Sequence, residues 1–186
     1  MRSKKCRVCK GEFTPSRPMQ SVCSPACAIA HAQKSREKEE KKAKREECKT
    51  LRIKREALKK RSDILREAQQ AFNAFCRERD RLAGHPCISS GRTLEWTGNN
   101  VDAGHYRSVG SAPHLRFDER NCHAQSKHDN RYLAGNAVEY RKGLIQRIGL
   151  KAVEELEADN TPRKWSREEL VQIRDKYRAK LKELKK

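Results

Sequence analysis

Apolar positions are distributed unevenly along the chain, and their spacing predicts mostly helices. From Lys34 to about Arg61 nearly every residue is Lys, Arg, Glu or Ala, with hardly a breaker. These are good helix formers, and opposite charges recur three and four residues apart, so a long solvated helix is expected. Leu51, Leu58, Leu65 and Phe72 are spaced by sevens, but the companion positions Lys54 and Arg61 are charged. A coiled-coil seam is therefore sensible only from about Leu65 onward. Ser62 and Asp63 can cap a fresh start. After them Ile64, Ala68, Ala71, Phe72, Phe75 and Leu82 form an amphipathic stripe that ends near Gly84.

Beyond Pro86 the pattern changes. Residues 86–100 are rich in turn formers, including Ser89-Ser90-Gly91 and Gly98-Asn99-Asn100. Val101 to Arg107 and Asn121 to Gln125 read as two strands, with a short helix beginning around Asn130. Asn136-x-x-Glu139 has the form of a capping box, and the helix behind it carries Val138, Leu144, Ile145 and Ile148 until Gly149 stops it. A short helix over Lys151 to Ala158 turns Ala152, Val153 and Leu156 inward. Ser166-x-x-Glu169 caps a last helix with Leu170, Ile173, Tyr177, Leu181 and Leu184 on one face. The expected class is α+β, mostly helical. Its expected segments are a cysteine-bearing module (1–33), a long charged helical segment (34–84), a hairpin-containing core (85–149) and C-terminal helices (150–186).

Composition restricts the size of any core. Of 186 residues only 35% are hydrophobic and 37% are charged, which favours compact modules joined by solvated helices. Lys and Arg number 44 against 25 Asp and Glu, a net charge of +19. A surplus of this size points to a polyanion, because neutralised phosphates release counterions. An anionic membrane fits less well, since the basic stretches are interrupted by Glu and lack a broad apolar face. The bland alternative for the charged helix is a solvated face; the sharper one is a surface that tracks DNA.

No run approaches the roughly 18 to 20 apolar residues that span a bilayer, and the first 30 residues hold no apolar signal-peptide core. A reducing cytoplasm is the expected location, where clustered cysteines are more often metal ligands than disulfides. Cys6-x2-Cys9 and Cys23-x3-Cys27 lie thirteen residues apart. Four thiolates in two close pairs can surround one Zn2+ tetrahedrally and let a short segment fold, giving a treble-clef-like module. Four Cys leave no open position, so this metal would be structural. His31 is expected on the surface of the following helix. Cys48 and Cys76 lie alone on helices, which predicts unreactive thiols.

The chemistry-bearing stretch is Val101 to Asn136. His105 is followed sixteen residues later by Asn121 and nine after that by Asn130. That spacing fits the HNH pattern of ββα-metal nucleases, in which one strand carries a base, a second an orienting Asn, and a short helix a metal ligand. Phosphodiester cleavage needs an activated water and neutralised charge at phosphorus. The expected roles are His105 as base, Asn121 as the residue that fixes its orientation, and Asn130 as ligand to a catalytic Mg2+ or Mn2+. His123 is a candidate for a further ligand or a phosphate contact. Asp102 could join the metal only through a bulge or the strand's end, because strict alternation points it away from His105. Arg107, Lys127 and Arg131 flank the site as candidate phosphate contacts.

The chain as a whole resembles the NinG (Rap) recombination proteins of lambdoid phages. The residues that carry the resemblance include Cys6-Arg7-Val8-Cys9, Cys23-Ser24-Pro25-Ala26-Cys27, Asn73-Ala74-Phe75, Arg77-Glu78-Arg79-Asp80, Pro86-Cys87-Ile88-Ser89 and, above all, Asp102-Ala103-Gly104-His105-Tyr106-Arg107. The resemblance implies a structure-specific endonuclease acting on branched recombination intermediates such as Holliday junctions and D-loops. A homodimer would suit a two-fold junction, with its seam on the last helix or the Leu65–Phe75 stripe. The sequence departs from the family where relatives place two further CxxC pairs around the hairpin. Here those stretches read Cys87-Ile88-Ser89-Ser90 and Ser126-Lys127-His128-Asp129. Cys87, Cys122, His128 and Asp129 are the only material for a substitute site, and the expected outcome is a knuckle held by packing and hydrogen bonds instead. The alternative function is a non-catalytic, zinc-containing nucleic-acid-binding protein. A scaffold built on the long helix, indifferent to DNA, is a third.

Overall fold

The computed structural model describes residues 2–186, which divide into two compact units, through Lys59 and from Lys60 onward. The first holds a two-stranded antiparallel ribbon, β1 (Lys4–Lys5) with β2 (Glu12–Phe13), and the helix α1 (Pro25–Leu58). Ser24 caps α1 by accepting from the Cys27 N–H, and Pro25 occupies the first turn, as the sequence predicts. None of the 34 residues of α1 is buried. With Lys, Arg and Glu on all sides, the helix is supported by its own charge pairs, such as Lys49 with Glu46.

The second unit is organised on α2 (Arg61–Leu82). Its predicted stripe is real: Ile64, Ala68, Ala71, Phe72 and Phe75 are buried, and only Leu82, the last residue of the helix, stays exposed. The stripe packs against α5 (Arg167–Leu184), whose Leu170 and Tyr177 are buried beside Phe117 and Trp165. Phe72 meets Phe117 and Tyr177 edge-on at 5.7 and 4.8 Å between ring centroids. The two faces named above as a dimer seam are thus covered by one another within a single chain. Apolar stripes at helical spacing do not reveal whether their partner is the same chain or a second one.

The hairpin lies against α2. Strand β3 (Val101–His105) pairs antiparallel with β4 (Cys122–Ser126), setting His105 opposite Cys122, Ala103 opposite Ala124 and Asp102 opposite Gln125. Ala103 and Cys122 join the core formed by α2 and α5. A single turn of π-helix, His128–Tyr132, follows β4. Then α3 (Ala137–Ile148) and α4 (Leu150–Ala158) enclose a second core of Ile88, Ala112, Leu115, Tyr140, Leu144, Val153 and Leu156. Gly149 ends α3 at φ 86° and α5 begins on the predicted Ser166–Glu169 capping box. Asn136 departs from expectation. It precedes α3 in the left-handed region at φ 47°, not the extended backbone of a capping residue, and makes no side-chain capping bond; its amide donates to Asp129 at 3.2 Å.

Candidate functional site

Two clusters carry chemistry, one in each unit. In the first, Cys6 to Gly11 forms a tight knuckle, with the Cys6 N–H bonded to the Gly11 carbonyl at 2.9 Å and Lys10 in the left-handed region at φ 65°. The knuckle brings Cys6 and Cys9 to Cys23 and to Cys27 in the first turn of α1, and the four Sγ atoms lie within 4.8 Å of one another. Four sulfurs at the usual zinc distance of about 2.3 Å would sit about 3.8 Å apart. Cys9 to Cys23 at 3.5 Å and Cys23 to Cys27 at 3.6 Å match that spacing. The cluster can hold a metal ion such as zinc, and His31 is not among its ligands.

The second cluster surrounds the hairpin, and pleating divides it. Val101, Ala103 and His105 project from one face of β3 and Asp102 and Gly104 from the other. His105 lies on the α2 side, its ring 5.9 Å from that of Phe72. Its Nε2 sits 3.1 Å from the Arg116 carbonyl, which can only accept, so Nε2 carries the proton and Nδ1 is the basic nitrogen. Burial pushes the His105 pKa below the ordinary histidine value, against a smaller upward pull from the Arg116 carbonyl.

On the opposite face Asp102 accepts from Asn130 Nδ2 at 3.0 Å and from Arg131 Nε at 2.9 Å. Burial would raise the Asp102 carboxyl, but the bonds from Arg131 and Asn130 prevail and hold it below its usual value. It is therefore ionised at neutral pH. Gly104 leaves room on this face: a Cβ there would fall 2.1 Å from Oε1 of Gln125. That contact gives the Asp-Ala-Gly-His segment a steric reason for its glycine.

The other predicted site residues have partners of their own. Asn121 is fully buried and makes no bond to the imidazole. Its Oδ1 accepts from the Arg107 N–H at 2.8 Å, and its Nδ2 donates to the carbonyls of Arg107 and Leu115 at 3.0 and 3.1 Å. It clamps the loop between the strands, and so positions His105 only through the backbone. His123 has both nitrogens engaged. Arg79 Nη2 lies 3.0 Å from Nδ1, which must therefore accept, and Nε2 meets the Arg120 carbonyl at 3.2 Å. No ring nitrogen is left for a metal in this arrangement. Arg107 caps the end of α4, donating to the carbonyls of Leu156 and Asp159 at 3.0 and 2.5 Å. Lys127 donates to the Asn99 carbonyl at 3.0 Å, and Arg131 stays exposed beside Asp102.

Where relatives were expected to carry further thiols, Cys87, Ser126 and Asp129 form a hydrogen-bonded group. Asp129 Oδ2 accepts from Ser126 Oγ at 2.5 Å and from Cys87 Sγ at 3.4 Å, and Cys87 Sγ accepts from the Ser126 N–H at 3.3 Å. Cys122 is instead fully buried among the apolar residues of the α2 core, and His128 is on the surface. The substitute metal set considered above is therefore not assembled, and hydrogen bonds close the knuckle.

The sequence reading missed one cluster. Asp80, 1% exposed, accepts from Arg79 Nε at 2.8 Å and from the Ala124 N–H at 2.7 Å. Arg147 Nη1 and His123 Nδ1 stand 3.5 and 3.6 Å from Oδ2, the oxygen that accepts from Ala124. Arg79 also donates to the carbonyls of Glu119 and Cys122. This network ties α2 and α3 to the outer edge of β4. The signal was available: Ile64, Ala68, Phe72, Cys76 and Asp80 follow one another at intervals of four, so the buried stripe continues onto Asp80.

No helix among the described residues is long and apolar enough to cross a membrane. A sequence profile described as Bacteriophage Lambda NinG protein matches residues 1–186. The chain is similar to Protein ninG of Escherichia phage 933W, 47% identical over 193 residues that cover 98% of this chain and 94% of the relative. It is 47% identical to Protein ninG of Salmonella phage P22 over 195 residues, covering 96% and 94%. To Protein ninG of Escherichia phage lambda it is 46% identical over 188 residues, covering 95% and 90%. No solved structure matches the chain.

Proposed function

The chain belongs to the NinG family of lambdoid phages, and we propose that it is a metal-dependent endonuclease that cleaves branched DNA through an HNH-like core. The observation that carries this reading is the reach of Asn130, on the turn after β4, back to Asp102 on β3 at 3.0 Å. It joins a short helix to a two-stranded hairpin whose first strand ends in His105, the arrangement that HNH chemistry needs.

In this reading Asp102 and Asn130 hold the catalytic cation, Asn130 by turning its amide so that oxygen faces inward. A bound Mg2+ or Mn2+ supplies charge stabilisation at the phosphorus and at the departing oxygen. His105, neutral at its Nδ1, takes the proton from the attacking water. Arg131 and Lys127 face the phosphate backbone, while Arg107 and His123 serve the fold. The net charge of +19 supports a nucleic-acid substrate; its branching is implied by the family resemblance. Incubating the protein with a synthetic four-way junction and a linear duplex tests the reading. Junction nicking in Mg2+ or Mn2+ that stops with EDTA is the expected result, and an intact junction under every metal would overturn it.

A second reading, binding without cleavage, is favoured by one feature: strand alternation sets His105 and Asp102 on opposite faces of β3. It predicts salt-sensitive binding and no nicking in the same experiment.

We also assign the four-cysteine cluster a structural zinc. A ribbon of two-residue strands cannot supply its own core, so metal binding and folding of residues 4–27 should be coupled. Wild-type protein purified without chelator is expected to carry one zinc per chain by metal analysis. Cys23→Ser should lose it, together with the dispersion of the amide signals from this segment. Full retention of both would show that the thiols are not ligands.

A further inference from the structure

We infer that Tyr132 and Leu133 form a wedge that stacks against unpaired or splayed bases at the branch point of a DNA junction. The inference rests on the proposed encounter with branched DNA and not on cleavage.

The turn after β4 displays these two side chains outward. Tyr132 is 76% exposed and Leu133 48%, with the His128 ring 5.9 Å behind that of Tyr132. This is no loosely tethered loop. Asp129 pins it from within: its carbonyl accepts from the Gly135 N–H at 3.1 Å and its Oδ1 from the Asn136 amide at 3.2 Å. From β4, Gln125 Nε2 donates to the Gly135 carbonyl at 2.7 Å. Ala134 and Asn136 lie in the left-handed region at φ 51° and 47°; asparagine tolerates it, but alanine adopts it only when its surroundings impose it. The fold thus holds an aromatic and an aliphatic side chain in water on a rigid support.

Charge selects the occupant. Lys127 opens the turn and Arg131 immediately precedes Tyr132, and the Arg131 guanidinium lies 2.9 Å from Asp102, so the wedge adjoins the candidate site. An apolar plane between cations matches a nucleobase between phosphates. A second copy of this chain is disfavoured because it would bring another net charge of +19. An intact duplex keeps its base faces stacked, whereas a branch point opens them, and apolar wedges enter where unstacking is easiest. The wedge would therefore distinguish branched DNA from duplex, a role that phosphate contacts alone cannot fill.

The test uses the full chain in EDTA, so that cleavage plays no part. The probes are a four-way junction with 2-aminopurine at the branch and a linear duplex of the same sequence. Wild-type protein should raise the 2-aminopurine fluorescence on binding the junction. Tyr132→Ala should weaken junction binding about ten- to hundredfold and abolish the fluorescence change. Its duplex affinity should stay unchanged, and Tyr132→Phe should behave as wild type. Equal junction affinity in wild type and Tyr132→Ala would overturn the wedge, as would an equal loss on junction and duplex. Self-association that disappears in Tyr132→Ala would assign the tip to a second copy instead. Indifference of the wild type to both DNAs would remove the nucleic-acid reading as well, while binding without any nicking in metal would leave the wedge standing.

Discussion

His105→Ala is expected to lose about 10²- to 10⁴-fold in the rate of junction cleavage, the usual contribution of a general base, while junction binding in EDTA is unchanged. The separation of the two readouts is essential, because the imidazole also packs on Phe72 and bonds the Arg116 carbonyl. A purely structural His105 would lower activity only as far as it lowered the folded fraction. His105→Gln supplies the control, since its amide nitrogen can still donate to the Arg116 carbonyl while offering no comparable base. Both variants should be equally inactive, and Gln should melt closer to wild type than Ala. Cleavage by either variant at the wild-type rate would leave the binding-only reading in possession of the site.

The pH profile provides an independent check on the same residue. A general base must be neutral to act, and burial lowers the His105 pKa below the ordinary value of about 6.5. The acid limb of the cleavage rate should therefore have its midpoint below that value. An exposed imidazole would place it at or above the ordinary value. Binding in EDTA should show no matching transition, because the lost proton acceptor matters only to the chemical step.

Local patterns in the sequence located the helices, the hairpin and the four-cysteine cluster because each depends on neighbours at fixed spacing. The stripe from Ile64 to Phe75, the stop at Gly149 and the Ser166–Glu169 box are all cases in which the deciding atoms lie within a few residues. The roles of His123 and Arg107 were not legible because their partners lie in distant segments, and that of Asn121 because its bonds go to backbone groups of the loop between the strands. Arg107 is bound to carbonyls about fifty residues away, and the ring of His123 is set by Arg79, forty-four residues earlier. Polar residues at the correct spacing for an active site are equally suited to holding backbone groups, and burial decides between these uses. Alternation along β3 was readable, and it correctly separated Asp102 from His105.

Asp80→Ala should destabilise the second unit by about 3–5 kcal/mol, as removal of one partner from a buried charge network does. Set against a total stability of about 5–15 kcal/mol for a domain, this could leave the variant partly unfolded at 37 °C. The carboxylate is paired with two guanidinium groups, Arg79 and Arg147, and it also holds the Ala124 N–H on the outer edge of β4. Without it, Arg79 and Arg147 are left with neutral partners such as the Cys122 and Pro86 carbonyls, and the Ala124 N–H loses its acceptor. Asp80→Asn keeps the shape and one acceptor but removes the charge, so its loss should be smaller than that of Ala. Burial would raise the Asp80 carboxyl, yet the bonds from Arg79 and from the Ala124 N–H hold it far below the ordinary carboxylate range. Its contribution is thus fully present above about pH 4, the unfolded value, and declines as pH falls towards the lower folded one. Denaturant titrations of wild type and Asp80→Asn should accordingly differ most at neutral pH and converge below pH 4. A difference that grew on acidification would mean that the carboxyl is protonated in the folded chain and that the two arginines are neutralised by other groups.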